Sequence, residues 1–460
     1  NSDLHVTFKD IPQNGIVIKD FFSDTTKRRE KFEFSDGTVI TDISNKISTI
    51  ISEDNIVLPN GIKDAVLEGV LDTTVTGNSL DNNIKGNSGN NTYSAGEGND
   101  QIQDEDGGND IYIYNLGDGN DLIKDTYGNE VIKFGQGISK NNLVFIMHNK
   151  DLLINFKNNL GEKIDGSIRI EGYFAEDSRV IEHIEFADGS VISDLSSFVS
   201  ILAADFDVHN SASYPRIQLW GENDISVFGE YSDELVIGNS GNNRYDLLGG
   251  NDTIIDTQGG NDTYIFNSDY ENKVIKDIGG NDSIEFGLDI LSDDTFFLKG
   301  ADDLHIYFAN NSNSSIIVQD YFSDNNSKIE NFEFKNNNSV ISDISDIISG
   351  IASSDNIVLQ NSHTQARLLG DSNASVTGSY NDDKIYGNSG NNTYCAGQGN
   401  DRIEDKFGGD DTYIYNLGDG YDYIVDVGGF DSINFGEGIS LDNLRFGHKY
   451  NNLLVYVDSG

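Results

Sequence analysis

Cysteine, positive charge and long apolar runs are all scarce in this sequence. The single Cys395 cannot close an internal disulfide, so something else must stabilise the fold. Only 30 basic residues stand against 77 acidic ones, giving a formal net charge of -47 and a pI near 4.1. So acidic a chain repels nucleic acid and anionic membranes, which excludes both as partners. No stretch approaches the roughly 18 apolar residues of a membrane span, and no basic segment followed by an apolar one opens the chain. Hydrophobic residues make up only 36%, a composition that would suit disorder, but 21 Tyr and 25 Phe argue for a packed core. A folded chain of this charge calls for bound cations to offset its self-repulsion. Glycine is abundant at 49 residues, with Asn and Asp at almost every turn.

The abundant residues are periodic. Asp3-Leu-His-Val-Thr-Phe, Asp151-Leu-Leu-Ile-Asn-Phe, Asp302-Leu-His-Ile-Tyr-Phe and Asn452-Leu-Leu-Val-Tyr-Val mark a long repeat of roughly 150 residues. The octet from Gly86 to Tyr93 returns unchanged from Gly387 to Tyr394, and with one substitution from Gly238 to Tyr245. Inside each unit runs a shorter period of nine, from Gly77 as GNSLDNNIK, GNSGNNTYS, AGEGNDQIQ, EDGGNDIYI, LGDGNDLIK and DTYGNEVIK, with one or two residues inserted between some rungs. A small residue falls at positions 1, 2 and 4, a carboxylate or Asn at position 6 and an apolar residue at position 8. The same frame fits Gly229 to Glu285 and Gly378 to Asn434.

These rungs resemble the GGxGxDxUx nonapeptides of the RTX, haemolysin-type calcium-binding family. The resemblance implies parallel β-rolls: six residues turn, using glycine's access to left-handed angles, and three form a short strand with position 8 inward. Successive turns fall on opposite edges, so position-6 groups two rungs apart stack. Calcium, which takes six to eight oxygens, fits between such turns. The stacked pairs are then Asp100 with Asp121, Asp110 with Glu130, Asp262 with Asp282, Asp401 with Asp422 and Asp411 with Asp431. Unligated, such pairs would repel by about 3 kcal/mol at a spacing of about 5 Å and an intermediate dielectric. The family also uses turn carbonyls, which map onto Gly96, Gly98, Gly108, Gly117, Gly119, Gly250, Gly260, Gly280, Gly397, Gly399, Gly409, Gly418, Gly420 and Gly429. The second roll departs from the pattern. It reads SDYENKVIK where the others carry LGDGNDLIK or LGDGYDYIV, so Lys273 takes position 6 and Asp252 is expected to face a weakened or missing site. The inserted Asp104, Asp256 and Asp405 either add a ligand or are solvated turn residues. Asn91, Asn243 and Asn392, at position 6 of the octets, are expected to be weakly liganding entrance rungs.

Between rolls the text alternates as short strands, for example Leu143 onward, Ile168 onward and Ile184 onward with an Asp188-Gly189 turn. Each such segment closes on an expected amphipathic helix, starting at Thr41, Ser193 or Ser342. These segments resemble the haemolysin-type calcium-binding-related domain, and their expected role is to cap the rolls. The expected fold is therefore mainly β: three tandem calcium-binding parallel β-rolls at 66–135, 219–287 and 367–437. Linking and capping segments, each with one amphipathic helix, lie at 1–65, 136–218 and 288–366, and a further one begins at 438–460.

Catalytic patterns are not apparent. The seven histidines form no zinc spacing, and no GxSxG, P-loop or dinucleotide fingerprint occurs in a credible setting. Glu182 and Glu185 beside His183 read as a solvated strand face, as do Glu30 with Glu33 and Glu330 with Glu333. Cys395 is expected to be a solvent-facing thiol. The chain ends in mid-pattern and reads as part of something longer, whose secretion signal would lie elsewhere. The resemblance implies a non-enzymatic, calcium-dependent region of a large bacterial RTX protein. It would be exported unfolded by a type I secretion machinery to the outside or the cell surface. A surface receptor is a further partner class, and adhesin stalk, toxin module and enzyme tail stay open as roles.

Overall fold

The computed structural model describes residues 3–8, 11–22, 31–43, 46–158, 160–175, 181–210, 214–267, 271–309 and 311–458. It divides into two compact units, 1–203 and 204–460.

In the first unit one parallel sheet runs through Thr49–Ser52, Asp64–Leu67, Asn83–Lys85, Gln101–Asp104 and Asn120–Asp125. The facing sheet runs through Ile56–Val57, Thr74–Thr76, Thr92–Ser94, Ile111–Tyr114 and Val131–Phe134. The chain crosses from one sheet to the other at every rung. Strands are short because each must end where the next glycine turn begins, and within them burial alternates, as in Ile111–Tyr114. The inward residues at position 8, among them Ile84, Tyr93, Ile102, Tyr112, Ile123 and Ile132, are all buried. Glycine is required in the turns because backbone stacks on backbone: a Cβ on Gly128, where φ is +140°, would lie 1.7 Å from the Gly108 carbonyl oxygen.

The linking segment continues both sheets. The hairpin Leu143–His148 with Asp151–Lys157 leads to Lys163–Ile170, which joins Asn120–Asp125 in parallel. His183–Glu185 joins Val131–Phe134 in parallel on the opposite sheet. The hairpin places Phe156 across the end of the roll, stacked on Tyr114 at 5.1 Å and edge-on to Phe134 at 5.7 Å, so the two parts share one core.

The second unit repeats this plan. Arg216–Leu219, Leu235–Ile237, Asp252–Asp256 and Asn272–Asp277 form one sheet, extended by Asn311–Val318, and Phe308 stacks on Phe266 at 5.0 Å. A further roll follows, with Gln365–Leu368, Lys384–Tyr386, Arg402–Asp405 and Tyr423–Asp426 on one side. Ser375–Thr377, Thr393–Cys395, Thr412–Tyr415 and Ser432–Phe435 lie on the other. Its last rung is more open, with Ile424 and Ile433 exposed where Ile123 and Ile132 are buried.

The expected amphipathic helices do not form. The described residues contain no α-helix: Ser196–Phe198 makes one 3-10 turn, while Thr49–Ser52, Val199–Ala204 and Ile348–Ser353 are strands. Residues 44–45 of the first expected helix lie outside the described residues. These segments are rich in Ile, whose branched side chain loses freedom in a helix and fits a pleated ladder, and in Ser, a weak helix former in a helix interior. Neighbouring strands supply the pairing, as in Ile146 with Ile201 and Ile50 with Ala65.

Candidate metal centre

Each roll presents two edges of stacked turns. Position 6 is the last turn residue before the strand, so its backbone N–H points along the stack toward the turn two rungs on. That geometry produces a repeated contact: at every stacked pair except Asp110 with Glu130, the position-6 N–H donates to the carboxylate of the next position-6 residue on its edge. Asn82 donates to Asp100 Oδ1 at 2.6 Å and Asp100 to Asp121 Oδ1 at 3.1 Å. Asn91 donates to Asp110 Oδ1 at 2.6 Å, and Asp262 to Asp282 Oδ1 at 2.8 Å. In the third roll Asp401 donates to Asp422 Oδ1 at 3.1 Å and Asp411 to Asp431 Oδ1 at 3.0 Å.

One carboxylate oxygen is thus committed to backbone, while the other is buried without a hydrogen-bond partner at Asp100, Asp110, Asp262, Asp282, Asp401 and Asp411. Both oxygens of Glu130 are in this condition. Oxygens so placed are costly unless a cation meets them. Burial is the leading cause that pushes Asp110, Asp121 and Asp262 up to about 8, Asp401 to about 7, and Asp100, Asp282, Asp411 and Asp422 to about 6. Burial also raises Glu130, helped by the charges of Asp125 and Glu182. The fourteen glycines mapped onto turn positions all take positive φ, between 93° and 149°.

The second roll is different at Lys273. Its Nζ lies 2.8 Å from Asp252 Oδ2 and donates to the carbonyls of Leu248 at 3.1 Å and Gly250 at 2.9 Å. Both side chains are buried. The ammonium therefore sits among a carboxylate and turn carbonyls, the oxygens that a cation would take. Residues 268–270 of the departing rung lie outside the described residues.

The octet asparagines also differ from the expectation of a weak ligand. Asn91 Nδ2 donates to Asn87 Oδ1 at 2.9 Å and to the Gly89 carbonyl at 2.9 Å, while its Oδ1 accepts from the Thr73 hydroxyl at 2.7 Å. Asn243 and Asn392 repeat the donation to Asn239 and Gly241, and to Asn388 and Gly390. The amide fills the turn with its own donors, while its Oδ1 accepts from the neighbouring rung in each roll.

The inserted acids are not solvated. Asp104, Asp256 and Asp405 are fully buried, and each accepts from an inward tyrosine: Tyr93, Tyr245 and Tyr394, at 2.5 Å in every roll. Reasoning from sequence missed their counterparts one turn later, Asp125, Asp277 and Asp426, which accept from Tyr112, Tyr264 and Tyr413. It also missed Glu182 and Glu330, which extend the position-6 stacks by accepting from Glu130 N at 2.6 Å and Asp282 N at 2.8 Å. Glu182 is thus part of the edge, whereas His183 and Glu185 form a partly exposed pair at 3.3 Å beside Lys133. Glu30 lies outside the described residues. Cys395 is a free thiol, half-buried beneath Asn416 on the outward side of its strand, and burial raises its pKa.

Comparison with known families agrees with this geometry. The RTX calcium-binding nonapeptide repeat matches residues 71–102, 85–123, 227–254 and 370–403. The chain carries RTX calcium-binding repeats. The haemolysin-type calcium binding protein related domain matches residues 3–42 and 151–194, within the linking segments. Calcium is accordingly the ion for the stacked RTX turns. No curated protein matches the chain. Among solved structures, the extracellular lipase LipA from Serratia marcescens is similar over 58% of this chain and 40% of that one, at 16% identity and a TM-score of 0.20. The chain spans less than half of that lipase's length. No described helix is long and apolar enough to cross a membrane.

Proposed function

We propose that this chain is a non-enzymatic, calcium-dependent folding and structural region of a large secreted RTX protein. The observation that carries the reading is the buried position-6 carboxylate with one oxygen on backbone and the other unpartnered, repeated on both edges of the rolls. A calcium ion between stacked turns would take those oxygens together with turn carbonyls. The residues that would hold it are the stacked pairs Asp100 with Asp121, Asp110 with Glu130, Asp262 with Asp282, Asp401 with Asp422 and Asp411 with Asp431.

The chain's own charge then acts as the control. At sub-micromolar calcium the acidic edges repel and the rolls stay open, a state suited to passage through a narrow type I exporter. At millimolar external calcium, ligation supplies folding free energy and the folded rolls oppose return. Circular dichroism and small-angle scattering in calcium and in chelator test this. Gain of β signal with compaction on adding calcium is expected, and equal compactness in both solutions overturns it.

A further inference from the structure

The two edges of a roll are not equivalent. On one edge of the first roll Asp125 reaches between the stacked Asp110 and Glu130, and one oxygen from each lies within 4.8 Å of the others. Asp262, Asp277 and Asp282 form the same cluster in the second roll, as do Asp411, Asp426 and Asp431 in the third. Among the described residues these are the three-carboxylate clusters, one per roll and all on the edge that follows the octet. The opposite edge pairs Asp100 with Asp121 without a third acid in the cluster. Its neighbour Asp118 is engaged by the Asn115 backbone at 2.7 Å.

Two further observations point from these clusters to an ion. The unpartnered oxygens converge there: Asp110 Oδ2, both oxygens of Glu130, Asp262 Oδ2, Asp277 Oδ1, Asp282 Oδ2, Asp411 Oδ2 and Asp426 Oδ1. In the first two rolls Asp110, Glu130, Asp262, Asp277 and Asp282 are at most 1% exposed. The third acid is also held in place. Tyr112, Tyr264 and Tyr413 each donate to Oδ2 of Asp125, Asp277 and Asp426. In the second and third rolls this leaves Oδ1 unpartnered. A phenol that anchors one oxygen of a ligating carboxylate fixes the orientation of the other. Oxygen separations below about 4.8 Å match a cation that binds oxygen at about 2.4 Å, as calcium does.

We propose that each roll contains one tricarboxylate cation site, completed by Asp125, Asp277 or Asp426 and oriented by its tyrosine, which fills ahead of the two-carboxylate sites on the opposite edge. Three negative ligands around one position favour a highly charged hard ion, so this site sets the lowest calcium concentration at which a roll begins to close. The inference rests on the calcium reading above and adds its order of filling.

Terbium(III) is a suitable probe, because it takes calcium's oxygen ligands and its emission is sensitised by a nearby tyrosine. Titration of the full chain is expected to show a first phase of about three ions with strong tyrosine-sensitised emission, displaced by calcium. Asp125→Asn alone is expected to lower that phase by one ion, the other two rolls serving as internal folding controls. Combining Asp125→Asn, Asp277→Asn and Asp426→Asn weakens it at least about tenfold, with compaction surviving at higher calcium. Asp121→Asn with Asp422→Asn leaves the first phase intact. An unchanged first phase in Asp125→Asn, or its loss in the opposite-edge variant, overturns the proposal while leaving calcium-driven folding standing. Absence of calcium-driven compaction in the unaltered chain overturns both.

Discussion

Lys273 places its ammonium 2.8 Å from Asp252 Oδ2 in the second roll, both side chains buried, with two turn carbonyls as its further acceptors. A covalently attached cation thus occupies a rung edge that is acidic in the other rolls, and gives Asp252 a counter-charge without calcium. Lys273→Met leaves Asp252 buried beside Glu234 without a counter-charge, a change that costs about 3–5 kcal/mol. Thermal unfolding in chelator should show the loss. Lys273→Asp restores an acid at position 6 and is expected to add one calcium per chain in calorimetric titration. Unchanged stoichiometry would show that this turn is not in register with its neighbours.

The octet asparagines perform a related task with a neutral group. Asn91→Asp replaces an amide that donates to Asn87 and Gly89 by a carboxylate that faces the same oxygens and Asp104. In chelator the variant should lose about 2–4 kcal/mol, from a lost buried hydrogen-bond set and an added repulsion. In millimolar calcium most of that loss should be recovered, with at least one more ion bound. Denaturant melts in the two solutions measure the difference, and equal losses in both would refute it.

Much of this organisation is legible in the sequence because the periodic residues are the ones that backbone geometry demands. A glycine at positive φ over a neighbouring carbonyl, as at Gly108 and Gly128, tolerates no replacement, so the frame is written plainly. The stacked acids follow once the frame is known. Asp125 is harder to see because it opens its rung at position 1, where the frame leads one to expect a small residue. Glu182 is harder still because it reaches Glu130 from 52 residues away, through a linking strand that continues the roll. The supposed helices fail for a different reason. Ile43, Ile47, Ile50 and Ile51 share a helical face, yet unsatisfied ladder edges on the adjacent strands favour the extended chain.

Proton binding should mimic part of calcium's effect. Asp110, Asp121, Asp262 and Asp277 are raised by burial to about 8, above the unfolded reference near 4. A folded state whose acids hold protons more tightly than the unfolded chain gains stability as pH falls, and loses it as pH rises through the folded values. In chelator the β signal should therefore grow from pH 8 toward pH 5. Calcium must displace these protons, so its affinity should rise with pH over the same interval. Circular dichroism in chelator at the two pH values, with calcium titrations alongside, checks both signs, and a stronger β signal in chelator at pH 8 than at pH 5 would contradict the first.

Backbone stacking predicts unequal tolerance among turn glycines. Gly117 has φ +101° and open space where a Cβ would stand, so Gly117→Ala should cost only the strain of its angle, about 1–3 kcal/mol. Gly128→Ala adds a collision with the Gly108 carbonyl and should exceed that by several kcal/mol, detaching the last rung of the first roll. Calcium-dependent melts of the two variants give the comparison; similar midpoints would show that the turns are spaced more widely than the stacking distances imply.

Capping by the linking hairpin leads to a prediction that separates packing from ion binding. Phe156 is 1% exposed and contacts Tyr114 and Phe134, the aromatic end of the first roll, while Phe308 repeats this against Phe266 and Phe286. Phe156→Ala removes a ring from a core shared by roll and hairpin and should cost about 3–5 kcal/mol. None of the stacked carboxylates is altered, so calcium stoichiometry at saturation should stay constant while the midpoint of calcium-induced folding moves to higher concentration. That shift follows because binding energy must now offset the lost packing before the roll closes. A fall in stoichiometry without a shift in midpoint would instead mean that the hairpin forms part of an ion site.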